Sequence, residues 1–310
     1  MTVVNTLFQA LTDLLPHTLM VGKSGQTLVR RAWWNIHQRL PLDDRFRVPV
    51  GKFDMWVNTR DSSVSQSLMK YGIWERHETE FLKYILTPGS IFIDCGAHIG
   101  YYSLLAATLV GVKGHVYSFE PATSNYDLLI VNVTKNNYSD IVTTYSVALG
   151  EAEAESPLFL DGGNSGGHSL DGENVLQAAD SLAVPLKRLD AAVGDRAVDV
   201  LKCNTQGAEG LVLKGAEALL QRQKPTLMIE WWPWGLRNLG GDAALASYLT
   251  GLGYQAAVLR GEASTTRLEP IKWPRLLTRY GATDPKARAT LICTTRRSFH
   301  ELLPTTLIHG

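Results

Sequence analysis

The chain has 310 residues, in which Lys+Arg 30 balances Asp+Glu 30, and 45 % of residues are apolar against 19 % charged. That composition gives a globular chain with one large core or two modest ones, and it excludes intrinsic disorder and a nucleic-acid or lipid coat held by bulk charge. Three widely spaced cysteines, Cys95, Cys203 and Cys293, exclude a zinc ribbon or disulfide scaffold and fit a reducing compartment.

The N-terminus, MTVVNTLFQALTDLLPHTLM, has no basic leader region and no small-residue cleavage site, and no run of 18 apolar residues occurs anywhere. A soluble, cytoplasmic protein with no membrane span is therefore expected. Leu7, Leu11, Leu14 and Leu15 predict a helix over 5–20, and Leu28, Trp33, Ile36 and Leu40 a second over 25–40. Together they make residues 1–45 a helical appendage, which packs as a lid, meets a second copy of the chain in a homodimer, or shapes a substrate pocket. A single domain is expected over 46–310. Its lead-in, 46–90, begins with alternating Phe46, Val48, Val50, then Phe53, Met55, Val57 around Gly51 and Lys52, the signature of a β-hairpin. A helix over 75–86 follows, stopped by Pro88 and Gly89.

From residue 91 the pattern turns to strand (91–94), helix (101–110), strand (115–120), helix (124–136) and strand (141–149), which predicts right-handed βαβ units and a parallel sheet covered on both faces. Residues 150–185, rich in Gly, Ser, Asp and Glu and holding DGGNSGGHS (161–169), read as a loop insertion with short strands near 158–160 and 184–186. The rhythm resumes with a strand (198–204), a helix (209–223), a strand (225–230) and a helix (242–252). Two late strands, 254–260 and 289–295, have no helix between them and are expected to pair antiparallel at one sheet edge. Residues 261–288 read as a long polar connection.

The strongest chemical signal is FIDCGAHIGYYS (92–103). Asp94 ends a buried strand, Gly96 allows a sharp turn and close approach of a ligand, and Gly100 opens a helix whose free N–H groups face that ligand. Ala97, His98, Tyr102 and Ser103 belong to the same loop and helix start. A dinucleotide prefers G-x-G-x-x-G for its pyrophosphate. The longer interval here, with a carboxylate directly before the turn, suits the α-amino group of a methionine moiety and favours S-adenosylmethionine. Glu120 ends the second strand, where a carboxylate accepts hydrogen bonds from ribose hydroxyls. Ser146 and the backbone of Val147 and Ala148, after the third strand, then face the adenine.

These segments together resemble the FkbM family of class I S-adenosylmethionine-dependent methyltransferases. The resemblance runs over about residues 46–295, through YGIWERHETEFLKYILTPGS (71–90), FIDCGAHIGYYS, VYSFEP (116–121), LLIVNVTKN (128–136), SVALGE (146–151), VPLKRLD (184–190) and VDVLKCNTQGAEGLVLKGA (198–216). It implies an α/β, Rossmann-like class I methyltransferase fold: a mostly parallel seven-stranded sheet with an antiparallel edge strand, joined here to the N-terminal helices and hairpin. It also implies methyl transfer, usually to oxygen, in small-molecule or glycan biosynthesis. The family pattern L-K-I-D-x-E/Q-G-A-E reads LKCNTQGAE here. Asn204 keeps the shape and acceptor oxygen of an aspartate without its charge, so it can replace that residue in hydrogen bonding but not as a base.

Methyl transfer to a hydroxyl needs alignment, exclusion of water and a general base. Glu230, closing the fifth strand, is the first candidate base; His98 and Asn204 are further catalytic candidates, and Asn204 also faces the cofactor. His168, in the glycine-rich insertion, can swing over the site. Trp231 and Trp232 of WWPWGLR (231–237) can stack on an acceptor, with Trp74 and Glu75 as the opposite wall. Asn204 and Glu230 alone are two ligands, so a divalent cation is not expected. The expected partner is a small-molecule or glycan acceptor, with no nucleic acid. Two alternatives stand beside this reading: a catalytically silent methyltransferase-fold protein that binds cofactor or a partner, and a nicotinamide-dependent oxidoreductase, which the glycine spacing disfavours.

Overall fold

The alternating apolar residues of the lead-in do form a hairpin: β1 (Arg45–Val50) pairs antiparallel with β2 (Phe53–Asn58) across a turn in which Gly51 takes φ +57°. The computed structural model describes residues 34–35, 45–262, 265–281, 283–296, 298–299, 302–303 and 307–308. The helix expected over 5–20 lies outside them. Of the one expected over 25–40 they include only Trp34 and Asn35, which are helical, with Lys70 Nζ 5.1 Å above the Trp34 ring. Two helices follow the hairpin, α1 (Val64–Tyr71), which the periodicity does not announce, and α2 (Arg76–Ile85).

The βαβ core follows as read. β3 (Ile91–Cys95), β4 (His115–Phe119) and β5 (Val142–Tyr145) alternate with α3 (Tyr101–Val110) and α4 (Thr123–Lys135). The strand expected over 141–149 breaks after Tyr145; its end, β6 (Ala148–Leu149), joins β7 (Ala154–Asp161) and β8 (Ala178–Lys187) in a separate sheet of order β6-β8-β7. The insertion is therefore a long hairpin, not a loop with two short strands. Then come β9 (Val200–Cys203), α5 (Glu209–Lys214), α6 (Glu217–Gln223), β10 (Thr226–Trp231), α7 (Asp242–Gly251), β11 (Gln255–Glu262), β12 (Thr265–Ile271), α8 (Trp273–Arg279), β13 (Ala289–Thr294) and β14 (Leu307–Ile308).

The main sheet runs β14-β12-β11-β13-β10-β9-β3-β4-β5. Strands β10, β9, β3, β4 and β5 are mutually parallel, and β13 lies antiparallel between β10 and β11. The expected seven-stranded frame is thus present, from β5 to β11. Two corrections follow. The late pair β11 and β13 is not at the sheet edge, because β12 and β14 extend the sheet beyond it, and the connection 261–288 contains β12 and α8. Neighbouring residues of each parallel strand enter opposite cores: Phe92 packs on the side of Leu104 and Leu129, Ile93 on that of Leu201 and Leu213.

The hairpin is tied to this core by asparagines standing in for a third strand. Asn132 Oδ1 accepts from Trp56 N at 2.6 Å and its Nδ2 donates to Trp56 O at 3.1 Å; Asn136 does the same with Asp54. This satisfies the exposed edge of β2 and delivers residues 61–64 to the carboxyl ends of β3 and β4. No helix of the described residues is long and apolar enough to cross a membrane.

Candidate functional site

A cavity of about 680 Å³ opens at the carboxyl ends of β3, β4, β9 and β10, the place where open α/β sheets collect ligands. The turn after β3 forms its floor. Gly96 has φ +78°, and a Cβ there would sit 2.0 Å from the carbonyl oxygen of Asn204, so only glycine lets the β3 and β9 turns meet. Gly100, at φ +92°, caps α3, and a Cβ on it would strike Leu129 of α4 at 2.6 Å. Its role is helix packing, and it does not line the cavity.

At the floor Lys202, which lines the cavity, forms a buried ion pair with Asp94 behind it, with Nζ 2.8 Å from Oδ1. Ser103 Oγ donates to the other carboxylate oxygen at 2.7 Å, Ser118 Oγ donates to Ser103, and Lys202 Nζ also donates to the carbonyl of Gly96 at 3.2 Å. Burial opposes the ammonium charge, but Asp94 in contact, helped by Glu75, outweighs it and holds Lys202 above its ordinary value. Asp94, expected from the sequence to face a ligand's amino group, is fully buried and absent from the cavity wall, and it supports the loop from below.

Glu120 does line the cavity. Its Oε2 accepts from His98 N at 2.8 Å and its Oε1 from Ala122 N at 3.0 Å. Burial pushes its carboxyl up to about 7 against those hydrogen bonds. His98 sits at φ +53°, its Nε2 2.7 Å from Ser165 Oγ, and its buried Nδ1 has no hydrogen-bond partner among the described residues. Val147 and Ala148 line the cavity, but Ser146 is exposed in the gap between β5 and β6 and does not. His168 is in the wall, held by Asp161 N donating to its Nδ1 at 3.0 Å, with burial lowering its pKa.

The opposite wall carries carboxylates and indoles. Glu75, at φ +39°, accepts from Tyr102 Oη at 2.6 Å; burial, reinforced by Glu78 and Glu230 nearby, pushes it up to about 7. Glu230 accepts from Arg288 Nη1 at 3.1 Å and from Gln206 Nε2 at 3.0 Å. Gln206 Nε2 also donates to Asn204 Oδ1 at 2.8 Å, and Arg288 stacks 3.8 Å from the ring centre of Trp232. The turn that carries Asn204 and Gln206 is organised by Glu209, fully buried, which accepts from the backbone N–H groups of Thr205 and Gly207. A smaller cavity of about 330 Å³ shares Glu75, Lys202, Asn204, Glu230 and Arg288 with the first and continues to Glu78 and Thr290.

The structure therefore brings Gly96, Ala97, His98, Tyr102, Glu120, Ala148, Asn204, Glu230, Trp74, Glu75, His168 and Trp232 together around one space. Ser103 is occupied below the floor. Trp231 is fully buried against Trp273 because strand alternation turns it away from the face that Glu230 presents. Among the described residues no group of three or more His, Cys, Asp or Glu is arranged to hold a metal ion. The sequence reading missed Lys202, Arg288, Asp61 and Ser165. For Lys202 the signal was present: a charge between Leu201 and Cys203 in a buried strand demands a buried partner. Arg288, Asp61 and Ser165 meet the site only through tertiary contacts.

A family model described as Methyltransferase FkbM domain matches residues 94–256. No curated protein matches the sequence. Among solved structures, the chain is similar to Methyltransferase FkbM from Methylobacillus flagellatus KT, with 18 % identity and TM-score 0.43, over 76 % of this chain and 56 % of that one. It thus spans little more than half the length of that protein. It is also similar to precorrin-6y C5,15-methyltransferase from Geobacter metallireducens GS-15 (14 % identity, TM-score 0.40, over 71 % of this chain and 87 % of that one). A third is TYW2 from M. jannaschii in complex with AdoMet (11 % identity, TM-score 0.43, over 82 % and 86 %).

Proposed function

The chain belongs to the FkbM methyltransferase family, and from that premise we propose that it transfers the methyl group of S-adenosylmethionine to a hydroxyl of a small molecule or glycan in a biosynthetic pathway. The observation that carries this reading is that a cofactor-grade floor and an aromatic, carboxylate-bearing wall share one cavity. The residues fit the cofactor. Each oxygen of Glu120 holds one backbone N–H and keeps lone pairs for a ribose diol, Val147 and Ala148 offer an apolar seat for adenine, and the Nδ1 of His98, without a hydrogen-bond partner among the described residues, is open to a polar group of the cofactor.

Bound S-adenosylmethionine supplies a methyl group made electrophilic by its sulfonium. The chain aligns the acceptor, excludes water and takes its proton. Of the two carboxylates on the wall, Glu75 is the better proton acceptor. Among the described residues its side chain accepts from a hydroxyl alone, that of Tyr102, and burial brings it to about 7, near the pH at which it must work. Glu230, fixed between Arg288 and Gln206, is suited to orient the acceptor. Asn204 gives its Oδ1 to Gln206, which leaves its Nδ2 donors for a ligand and suits a hydrogen-bonding role rather than that of a base.

Calorimetry with S-adenosylhomocysteine tests the floor. Wild type is expected to bind it and not NAD, and Glu120→Ala to bind it more weakly by more than about 1 kcal/mol, the scale of a charge-assisted hydrogen bond. Release of S-adenosylhomocysteine from S-adenosylmethionine in the presence of methyl glycosides and other hydroxyl acceptors tests the wall, with Glu75→Gln slowing turnover and sparing cofactor affinity. Binding without release on any acceptor would favour the catalytically silent alternative.

A further inference from the structure

Two segments outside the main sheet meet beside the cofactor loop. Asp61, in the turn between β2 and α1, is buried, and its Oδ1 accepts from Ser165 N at 3.0 Å and Ser165 Oγ at 2.8 Å. Ser63 Oγ and Ser65 N complete its shell. Ser62 Oγ donates to the carbonyl of Gly163 at 2.5 Å, and Asn125 Nδ2, from α4, donates to the carbonyl of Ser165 at 3.1 Å. The 163–165 segment of the insertion is thus held from the hairpin side and from α4, and Ser165 Oγ then reaches His98 Nε2 at 2.7 Å.

The hydrogens in this chain can be placed. A serine hydroxyl has one, and an ionised carboxylate only accepts. Burial opposes the charge on Asp61, but His98 (in acid, where its ring is charged) and the hydrogen bonds from Ser165, Ser63 and Ser65 outweigh it and hold the carboxyl below its ordinary value. The Ser165 hydrogen therefore goes to Asp61. Ser165 Oγ is left as an acceptor toward the ring, so His98 Nε2 carries the imidazole hydrogen and Nδ1 the lone pair. Burial pushes His98 down to about 4, so the ring is neutral at pH 7 and this tautomer is its defining state.

We propose that Asp61, acting through Ser165, is a positioning residue of the methyl-donor site: it fixes His98 as the Nε2–H tautomer, presents Nδ1 as an acceptor, and pins the 163–165 segment beside the cavity. Asp61 lies outside residues 94–256, where the family model matches. The inference rests on the cavity being the donor site.

The test uses the full chain with 15N-labelled histidine, long-range 1H–15N spectra in which His98 is assigned by its loss in His98→Gln, and calorimetry with S-adenosylhomocysteine. Wild type is expected to show a pyrrole-type Nε2 and a pyridine-type Nδ1 at His98. In Ser165→Ala and Asp61→Ala the two tautomers should interconvert and the affinity fall about tenfold, the effect of one lost hydrogen bond. Ser165→Thr, which keeps the hydroxyl, should restore both. A wild-type tautomer in Ser165→Ala overturns the relay. A changed tautomer with unchanged affinity overturns the positioning role. If Asp61→Ala does not fold, Ser165→Ala decides, since it removes a single oxygen. Unchanged affinity in Glu120→Ala would instead refute the cavity as the donor site, while the tautomer still decides the relay.

Discussion

A lysine inside a parallel strand is tolerated only when a carboxylate meets it there, and Lys202 with Asp94 is such a pair. Asp94→Ala leaves the ammonium buried without its contacting counter-charge and is expected to destabilise the protein by about 3–5 kcal/mol. Lys202→Met in the same chain should return most of that loss, since it removes the stranded charge. Urea unfolding at pH 7 measures both. A carboxylate acting mainly as a ligand group would behave otherwise: Asp94→Ala would unfold like wild type and lose only cofactor affinity. The sequence marked Asp94 by its place before the glycines but not its ion pair, because the partner is 108 residues away and no local spacing encodes it. Glu120 was legible in place and orientation alike, since both follow from the end of a βαβ strand. Trp231, expected to face an acceptor, is turned out of the cavity, whereas Glu230 beside it lines it. Strand parity decides between them, and a composition cluster says nothing about parity.

The elements that position the site were readable wherever one period dominated. IFIDC, HVYSF and TLMIEW are buried on both faces and appear as strands at the expected places. β7, β8 and β12 were shortened or missed because polar and proline residues (Glu155, Pro157, Asp180, Arg267, Glu269, Pro270) interrupt their apolar alternation. The helix expected over 209–223 is split by Gly215, where a Cβ would meet the carbonyl oxygen of Gly150 at 2.0 Å. The break lets the start of the insertion cross the helix closely, and nothing in the helical pattern announces a backbone passing there. Gly215 has an ordinary helical φ of −68°, so alanine would be accepted by its own backbone. Gly215→Ala should nonetheless lower stability by about 1–3 kcal/mol through overpacking. Gly251→Ala, at the end of α7 with nothing among the described residues within 4 Å of the added carbon, should be neutral or stabilising by up to about 1 kcal/mol. Thermal melts of the two variants beside wild type separate steric crossing from helix propensity; equal shifts would remove the crossing as the reason for the break.

Across the whole molecule the site leaves a signature in the pH dependence of folding. Glu75, Glu120 and Glu209 are each raised by burial from 4.5 to about 7. A folded carboxyl that keeps its proton longer than the unfolded one contributes no penalty below its unfolded value, and the penalty grows as pH rises toward the folded value. The buried histidines act in the opposite sense but lower down. His98 falls from 6.5 to about 4 and His115 and His168 are lowered too, so their effect lies mainly below about pH 6.5. Between about pH 6.5 and 8 the three glutamates dominate, and the protein without cofactor should lose stability on the order of 1 kcal/mol per carboxylate. Glu75→Gln keeps an acceptor for Tyr102 and removes one titration, so its loss over the same interval should be smaller by about one such share. Urea midpoints at the two pH values read this directly. A wild-type midpoint that is flat or rises would mean that these carboxylates are already ionised in the fold, and with them would go the argument that Glu75 is poised to take a proton from an acceptor hydroxyl.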